Sequence, residues 1–171
     1  RTDTLHLPGG MTCAACPAGR TDHDSDPKTE CAECTLGRST STTGHIGECN
    51  ACAAGSFAAT GATQCTSCSN GEADLDQNPE TPCAPCDPGS HAAVGATTCA
   101  VCAGGRADTD NNPGTECAPC TAGTFTDAGQ TSCHPCELGF ADEDTDASTP
   151  CTTCPSGTYA SSGATACSVC S

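Results

Sequence analysis

The stretch from Cys120 to Cys136, CTAGTFTDAGQTSCHPC, carries three cysteines, two glycines and one phenylalanine, and almost nothing else able to fill a core. The rest of the chain has the same character. Its 171 residues include three Phe, one Tyr and no Trp. Ordering a backbone costs roughly 1–2 kcal/mol per residue, and with so few large side chains, hydrophobic burial alone does not hold the chain folded. The 20 cysteines are the alternative, at a density that marks disulfide scaffolds.

Outward from this stretch, every cysteine falls in one of ten CxxC pairs, beginning at Cys13, Cys31, Cys49, Cys65, Cys83, Cys99, Cys117, Cys133, Cys151 and Cys167. From Cys49 onward, units of 16 and 18 residues alternate, giving a 34-residue double repeat. The sequence therefore divides into an N-terminal segment at 1–12, divergent cysteine-rich units at 13–48 and tandem double repeats at 49–171.

A glycine stands six positions after the first cysteine of each complete unit, from Gly19 and Gly37 through Gly55, Gly71, Gly89, Gly105, Gly123 and Gly139 to Gly157. Glycine takes a positive φ without strain, so each unit is expected to turn there. Short units add Gly61, Gly95, Gly129 or Gly163, which suits a tight hairpin of two short strands. Between the two glycines lies one ring (Phe57, His91, Phe125 or Tyr159), expected to lie on a neighbouring disulfide or backbone turn as a miniature core. Turn signals recur throughout and no sustained 3.6-residue apolar period is present. The predicted fold is a small disulfide-rich repeat protein, an elongated rod of short β-hairpins and turns with almost no helix.

CxxC has three chemical readings. A thioredoxin-like redox pair needs one reactive motif in a βαβ setting, which the repetition and the lack of helical periodicity oppose. A four-thiolate zinc ribbon comes closer in spacing. However, such domains usually add basic or aromatic residues for a partner, and five Lys plus Arg stand against 21 acids here. Structural disulfides in an oxidising, extracellular compartment are the preferred reading.

Units such as CPSGTYASSGATACSVC and CAAGSFAATGATQCTSC resemble the ephrin-receptor-like cysteine-rich repeat, related to tumour-necrosis-factor-receptor modules and written roughly CxxCxxGTYxxxGxxxCxxC. The motif matches the four short units, whereas Cys13 to Glu48 match only through CxxC and glycine. Long arrays with this composition look most like tandem-repeat surface and flagellar-hair proteins of algae and other protists. The resemblance implies bonding of first cysteine to third and second to fourth. Applied here, it gives Cys13–Cys31, Cys16–Cys34, Cys49–Cys65, Cys52–Cys68, Cys83–Cys99, Cys86–Cys102, Cys117–Cys133, Cys120–Cys136, Cys151–Cys167 and Cys154–Cys170. It also uses every cysteine and makes each acidic segment from Cys68 onward a linker between closed units. The competing staircase joins the second cysteine of each pair to the first of the next, as in Cys16 to Cys31, and strands Cys13 and Cys170.

Acidic side chains or Asn alternate in the longer units: Asp22, Asp24, Asp26; Asp74, Asp76, Asn78; Asp108, Asp110, Asn112; and Asp142, Asp144, Asp146. In an extended segment, alternation would set three oxygen ligands on one side, as for calcium. The Gly and terminal Glu of an EF-hand are missing, and Pro27, Pro79 and Pro113 follow, which favours solvated turns with Asx caps. Calcium binding is the alternative reading of these turns, and no other cofactor is expected.

His6, His23, His45, His91 and His134 stand in unrelated contexts, and no nucleophile has a base at motif spacing, so no enzyme activity is expected. A net charge of −16 should repel nucleic acid and anionic membranes. No apolar run is long enough to span a bilayer. Opening on Arg1 suggests a processed chain or a fragment, and the stop at Ser171 suggests a continuing parent or a lipid anchor. The expected function is a structural or interaction element of an extracellular coat or filament, with other copies or other coat proteins as partners. Sugar is expected on oxygen, at sites such as Ser39–Thr43, because the only sequon-like site is Asn50-Ala51-Cys52. The alternative is a receptor-type ligand-binding ectodomain or stalk, to which the irregular TLGRSTSTTGHIGE at 35–48 points.

Overall fold

The computed structural model describes residues 15–26 and 29–170. The N-terminal segment at 1–12, with His6, lies outside the described residues, as do Cys13 and Pro27. No described residue is helical. Nine antiparallel hairpins of two-residue strands follow one another: Arg20–Thr21 with Ala32–Glu33, Arg38–Ser39 with Asn50–Ala51, Ser56–Phe57 with Thr66–Ser67, Glu72–Ala73 with Ala84–Pro85, Ser90–His91 with Ala100–Val101, Arg106–Ala107 with Ala118–Pro119, Thr124–Phe125 with His134–Pro135, Phe140–Ala141 with Thr152–Thr153, and Thr158–Tyr159 with Ser168–Val169. The expected small disulfide-rich repeat protein is thus what forms.

The glycine six positions into each unit has the predicted role. All nine have φ between 72° and 87°. Such a glycine is the third residue of a turn closed by the next residue's N–H, as when Thr124 donates to the Thr121 carbonyl (3.1 Å) or Phe140 to that of Glu137 (3.0 Å). A type II turn requires positive φ there. The glycine carbonyl then accepts from the last cysteine of the hairpin, as in Cys136 N–H to Gly123 (2.9 Å).

The cysteine pairing differs from the one implied by the resemblance. Nine disulfides form the staircase: Cys16–Cys31, Cys34–Cys49, Cys52–Cys65, Cys68–Cys83, Cys86–Cys99, Cys102–Cys117, Cys120–Cys133, Cys136–Cys151 and Cys154–Cys167. None of the ten expected bonds occurs: Cys31 is joined to Cys16 rather than Cys13, Cys34 to Cys49, Cys52 to Cys65 rather than Cys68, Cys86 to Cys99 rather than Cys102, Cys120 to Cys133 rather than Cys136, and Cys154 to Cys167 rather than Cys170. Cys83, Cys117 and Cys151 likewise bond backward, to Cys68, Cys102 and Cys136. Cys170 is a free, exposed thiol.

The reason lies in the strand that CxxC forms. Its two middle residues are the second strand of a hairpin, and side chains alternate along a strand, so cysteines at i and i+3 point to opposite sides. One closes the hairpin just completed, and the other opens the next. Each bond closes a loop of 13 or 15 residues across Cα atoms 5.6–5.7 Å apart, within ordinary disulfide geometry. Such loops contribute about 3 kcal/mol each in the chain-entropy account. The density of bonds points to an oxidising, extracellular environment.

Apart from cystine, the interior is alanine and threonine. Ala73, Ala107 and Ala141 are fully buried, and Thr40 and Thr126 nearly so. The rings do not form the expected miniature core. Phe57, His91 and Phe125 are half-buried and Tyr159 is 57% exposed, while the residue after each ring (Ala58, Ala92, Thr126, Ala160) faces inward. Strand alternation sends the two neighbours to opposite sides, and only a small side chain fits between successive hairpins. The expected ring–sulfur contact is seen at His91, whose Nδ1 lies 3.5 Å from the Cys117 sulfur.

The chain divides into two compact units, Arg1–Ser69 with Ala73–Ala84 and Val94–Thr98, and Asn70–Glu72 with Pro85–Ala93 and Cys99–Ser171. In the first, Gly37 donates to the Ala58 carbonyl (2.9 Å), Ala58 to that of Pro79 (3.1 Å) and Gly95 to that of Cys68 (2.9 Å). In the second, Gly105 donates to Thr126 (2.9 Å), Thr126 to Ala147 (3.0 Å) and Gly129 to Cys102 (2.8 Å). Within each unit, backbone hydrogen bonds thus run from one hairpin to another.

Candidate functional site

The acidic segments are turns in which most of the acidic side chains already accept hydrogen bonds, and the three positions of each set do different work. The first Asp is buried. Oδ2 of Asp74, Asp108 and Asp142 accepts the N–H of Gly55 (2.9 Å), Gly89 (3.1 Å) and Gly123 (2.8 Å), each 19 residues earlier. A short unit is thereby pinned to the long unit that follows. Asp22 is buried in the same way, with Oδ1 accepting from Ser25 N–H (2.9 Å).

The second Asp is exposed and caps the turn. Oδ1 of Asp24, Asp76, Asp110 and Asp144 accepts the N–H two residues on, at 3.0–3.1 Å. The carboxylate also accepts the hydroxyl of Thr29, Thr81, Thr115 or Thr149. Those N–H groups first, and the threonine hydroxyls second, hold all four carboxyls below the usual carboxylate range. The third position caps onward, as Asn78 accepts from Glu80, Asn112 from Gly114 and Asp146 from Ser148. Between the second and third positions, Ser25, Gln77, Asn111 and Thr145 take φ of 53–58°, an uncommon conformation for residues other than glycine.

The alternation therefore separates one inward carboxylate from two outward caps. In the second and third turns, Oδ1 of the first and second Asp converge on one donor, the N–H of Asn78 (3.2 and 3.1 Å) or of Asn112 (3.1 and 3.1 Å). Among the described residues, no three His, Cys, Asp or Glu side chains gather as a metal cage. The histidines are dispersed: His45 Nε2 lies 2.9 Å from the Glu48 carbonyl, His91 meets the Cys117 sulfur, and His134 tilts against Phe125 with ring centroids 6.3 Å apart.

Two features escaped the sequence reading. Gly55, Gly89 and Gly123 turn the chain and also receive the backbone of a later repeat: a Cβ there would collide with the carbonyl oxygen of Gly95, Gly129 or Gly163. The second is a groove of about 560 Å³ on the Cys136–Cys151 hairpin, walled by Phe125, His134 and Phe140 with Glu137 and Cys151. The signal for it is a break in the repeat. Thirty-four residues earlier, His134 and Phe140 correspond to Ala100 and Arg106.

No helix among the described residues is long and apolar enough to cross a membrane. Nine closed hairpins in succession make the chain a repeated disulfide-rich module of extracellular type. Comparison with protein-family models and with curated proteins finds no match.

Proposed function

We propose that the chain is a non-enzymatic structural and interaction repeat of a cell-surface coat or filament, carrying O-linked sugar and working beside other copies or other coat proteins. The observation that carries this reading is the succession of nearly identical cystine hairpins, hydrogen-bonded to one another within each unit and with a small-residue interior. Such an array gives length and protease resistance with little sequence information. The CxxC and glycine spacing that the short units share with ephrin-receptor-like repeats agrees with it, although the cystine pairing differs from the one that likeness implies. Electron microscopy and sedimentation of the purified oxidised chain test it. Ordered assemblies support the coat or filament, whereas a monomer at every concentration overturns it in favour of the receptor-type stalk. Intact mass reports attached hexose directly.

The receptor-type reading is favoured by one place, the Cys34–Cys49 hairpin. There Gly44 and Gly47, both at positive φ, replace the acidic turn. Asx-capped turns are preferred over calcium sites because N–H and hydroxyl donors already bond the exposed Asp24, Asp76, Asp110 and Asp144. Millimolar calcium should leave the unfolding temperature unchanged, and a rise abolished by Asp110→Asn would restore the cation reading.

A further inference from the structure

We propose that the groove on the Cys136–Cys151 hairpin binds an arginine side chain presented by a partner protein. This goes beyond the scaffold reading and holds whether or not the repeats assemble. The molecule itself supplies the precedent. In three other hairpins the residue after the turn glycine is arginine, and its guanidinium donates to the carbonyl of the cysteine that closes the hairpin: Arg20 to Cys31 (3.4 Å), Arg38 to Cys49 (2.8 Å) and Arg106 to Cys117 (2.8 Å). Two of these also pair with a carboxylate, Arg20 with Glu33 (2.6 Å) and Arg38 with Glu48 (2.9 Å).

In the Cys136–Cys151 hairpin that position is Phe140, and the equivalent closing cysteine, Cys151, lines the groove. The hairpin frame that elsewhere receives a guanidinium from its own chain is kept, but the arginine has become a ring. Phe140 and Phe125 offer flat faces suited to a planar cation. Glu137 also lines the groove and is exposed, which supplies a carboxylate as counter-ion for a guanidinium. Lysine fits this set less well, since it lacks the flat fork and stacks poorly. Charge points the same way: the chain carries −16, and residues 99–171 include one cation, Arg106, against nine acids.

The test uses the full oxidised chain, isotope-labelled, titrated with the capped tripeptide Gly-Arg-Gly and with its lysine and citrulline counterparts at physiological salt. The arginine peptide should give saturable shifts confined to Phe125, His134, Phe140 and Cys151. The lysine peptide should bind about fivefold more weakly, and the citrulline peptide at least tenfold. Glu137→Gln should weaken arginine binding about fivefold, and Glu116→Gln should leave it within twofold. Phe140→Arg restores the pattern of Arg106, so its own guanidinium should fill the groove and bring peptide binding below detection with every disulfide intact. Shifts spread evenly over the Asp76, Asp110 and Asp144 turns, equal affinity for lysine, or full affinity in Glu137→Gln would each overturn the proposal.

Discussion

The turn from Asp108 to Thr115 and the turn from Asp142 to Thr149 share most of their hydrogen bonds but carry different residues at their two most demanding positions. Only the first adds a bond from the Asn112 N–H to Asp108 Oδ1 (3.1 Å). In both, a buried carboxylate receives a glycine N–H from the preceding short unit. In both, an exposed carboxylate accepts the N–H two residues on and the hydroxyl five residues on. The left-handed residue is Asn111 in one and Thr145 in the other, at φ 53° and 56°. The residue after the third cap is Pro113 in one and Ala147 in the other. Asparagine tolerates that backbone, whereas a β-branched residue there is strained. Proline presets its own φ, and alanine does not. The second turn thus reaches the same shape against its local preferences. The frame around the turns imposes it: a disulfide closing 15 residues and an inward carboxylate fixed to a neighbouring repeat.

The largest effect should come from breaking that frame where repeats touch. Gly123→Ala would set a Cβ against the Gly163 carbonyl and force alanine to φ 82°. We expect a loss of about 3 kcal/mol or more, from the clash and the backbone together. Gly89→Ala should cost as much against Gly129. Gly139→Ala separates the two contributions, because its Cβ would meet nothing within 4 Å while φ is 81°. Its cost should be about 1–2 kcal/mol. Denaturant midpoints under non-reducing conditions measure all three, and equal losses would show that the contact with the later repeat contributes nothing.

Next in size is the inward carboxylate. Asp142→Ala leaves the Gly123 N–H buried without its acceptor, which costs about 1–3 kcal/mol, and Asp108→Ala should match it at Gly89. Asn at either position keeps one acceptor oxygen and should cost less. Amide exchange at the paired glycine reports the effect locally. If the exposed Asp144→Ala accelerates exchange at Gly123 as much as Asp142→Ala does, the division between inward and outward carboxylates is wrong.

These two effects also mark what the sequence could and could not reveal. The turn glycines were legible because a type II turn admits little else at its third position. Disulfide pairing was not legible from spacing, because both arrangements use the same ten CxxC pairs. Only strand alternation between Cys133 and Cys136 decides it, and two-residue strands leave no periodicity to read. The buried Asp was hidden among its neighbours, since Asp142, Asp144 and Asp146 look equivalent in an acidic run. A signal existed, however: Asp74, Asp108 and Asp142 each follow a buried alanine that ends a strand. The place of the rings is not legible either, because scarcity of large side chains suggests that they fill the core, whereas hairpins stacked this closely leave room only for residues such as Ala58 or Thr126.

A smaller effect, of opposite sign, should come from relieving the strain in the second turn. Thr145→Asn copies Asn111 and should stabilise by about 1 kcal/mol. Ala147→Pro copies Pro113 and should add about 0.4–1 kcal/mol by restricting the unfolded chain. The reciprocal Asn111→Thr should destabilise the first turn by the amount that Thr145→Asn gains. Unequal magnitudes would mean that the two turns differ in more than these side chains.

The smallest effect is on acid response, where the two turns should behave alike. Asp110 and Asp144 are held below the usual carboxylate range chiefly by the N–H of Asn112 and Asp146, and then by Thr115 and Thr149. Because folding lowers these values, the ionised form is favoured in the folded turn. That stabilisation is present above the unfolded carboxylate value, near pH 4, and is lost as pH falls through the depressed folded value. Both groups are exposed, so solvent screening keeps the contribution small. An opposing change occurs over the same range, since protonation relieves repulsion in a chain of net charge −16. Global stability can therefore hold steady or rise in acid while the turns loosen, and the two are separated by measuring locally. Exchange at the Asn112 and Asp146 amides should quicken below about pH 4, relative to the intrinsic rate and in parallel. Asp110→Asn should remove the pH dependence in the first turn alone. Persistence of that dependence in Asp110→Asn would place the acid sensitivity elsewhere, in the buried carboxylates that join the repeats.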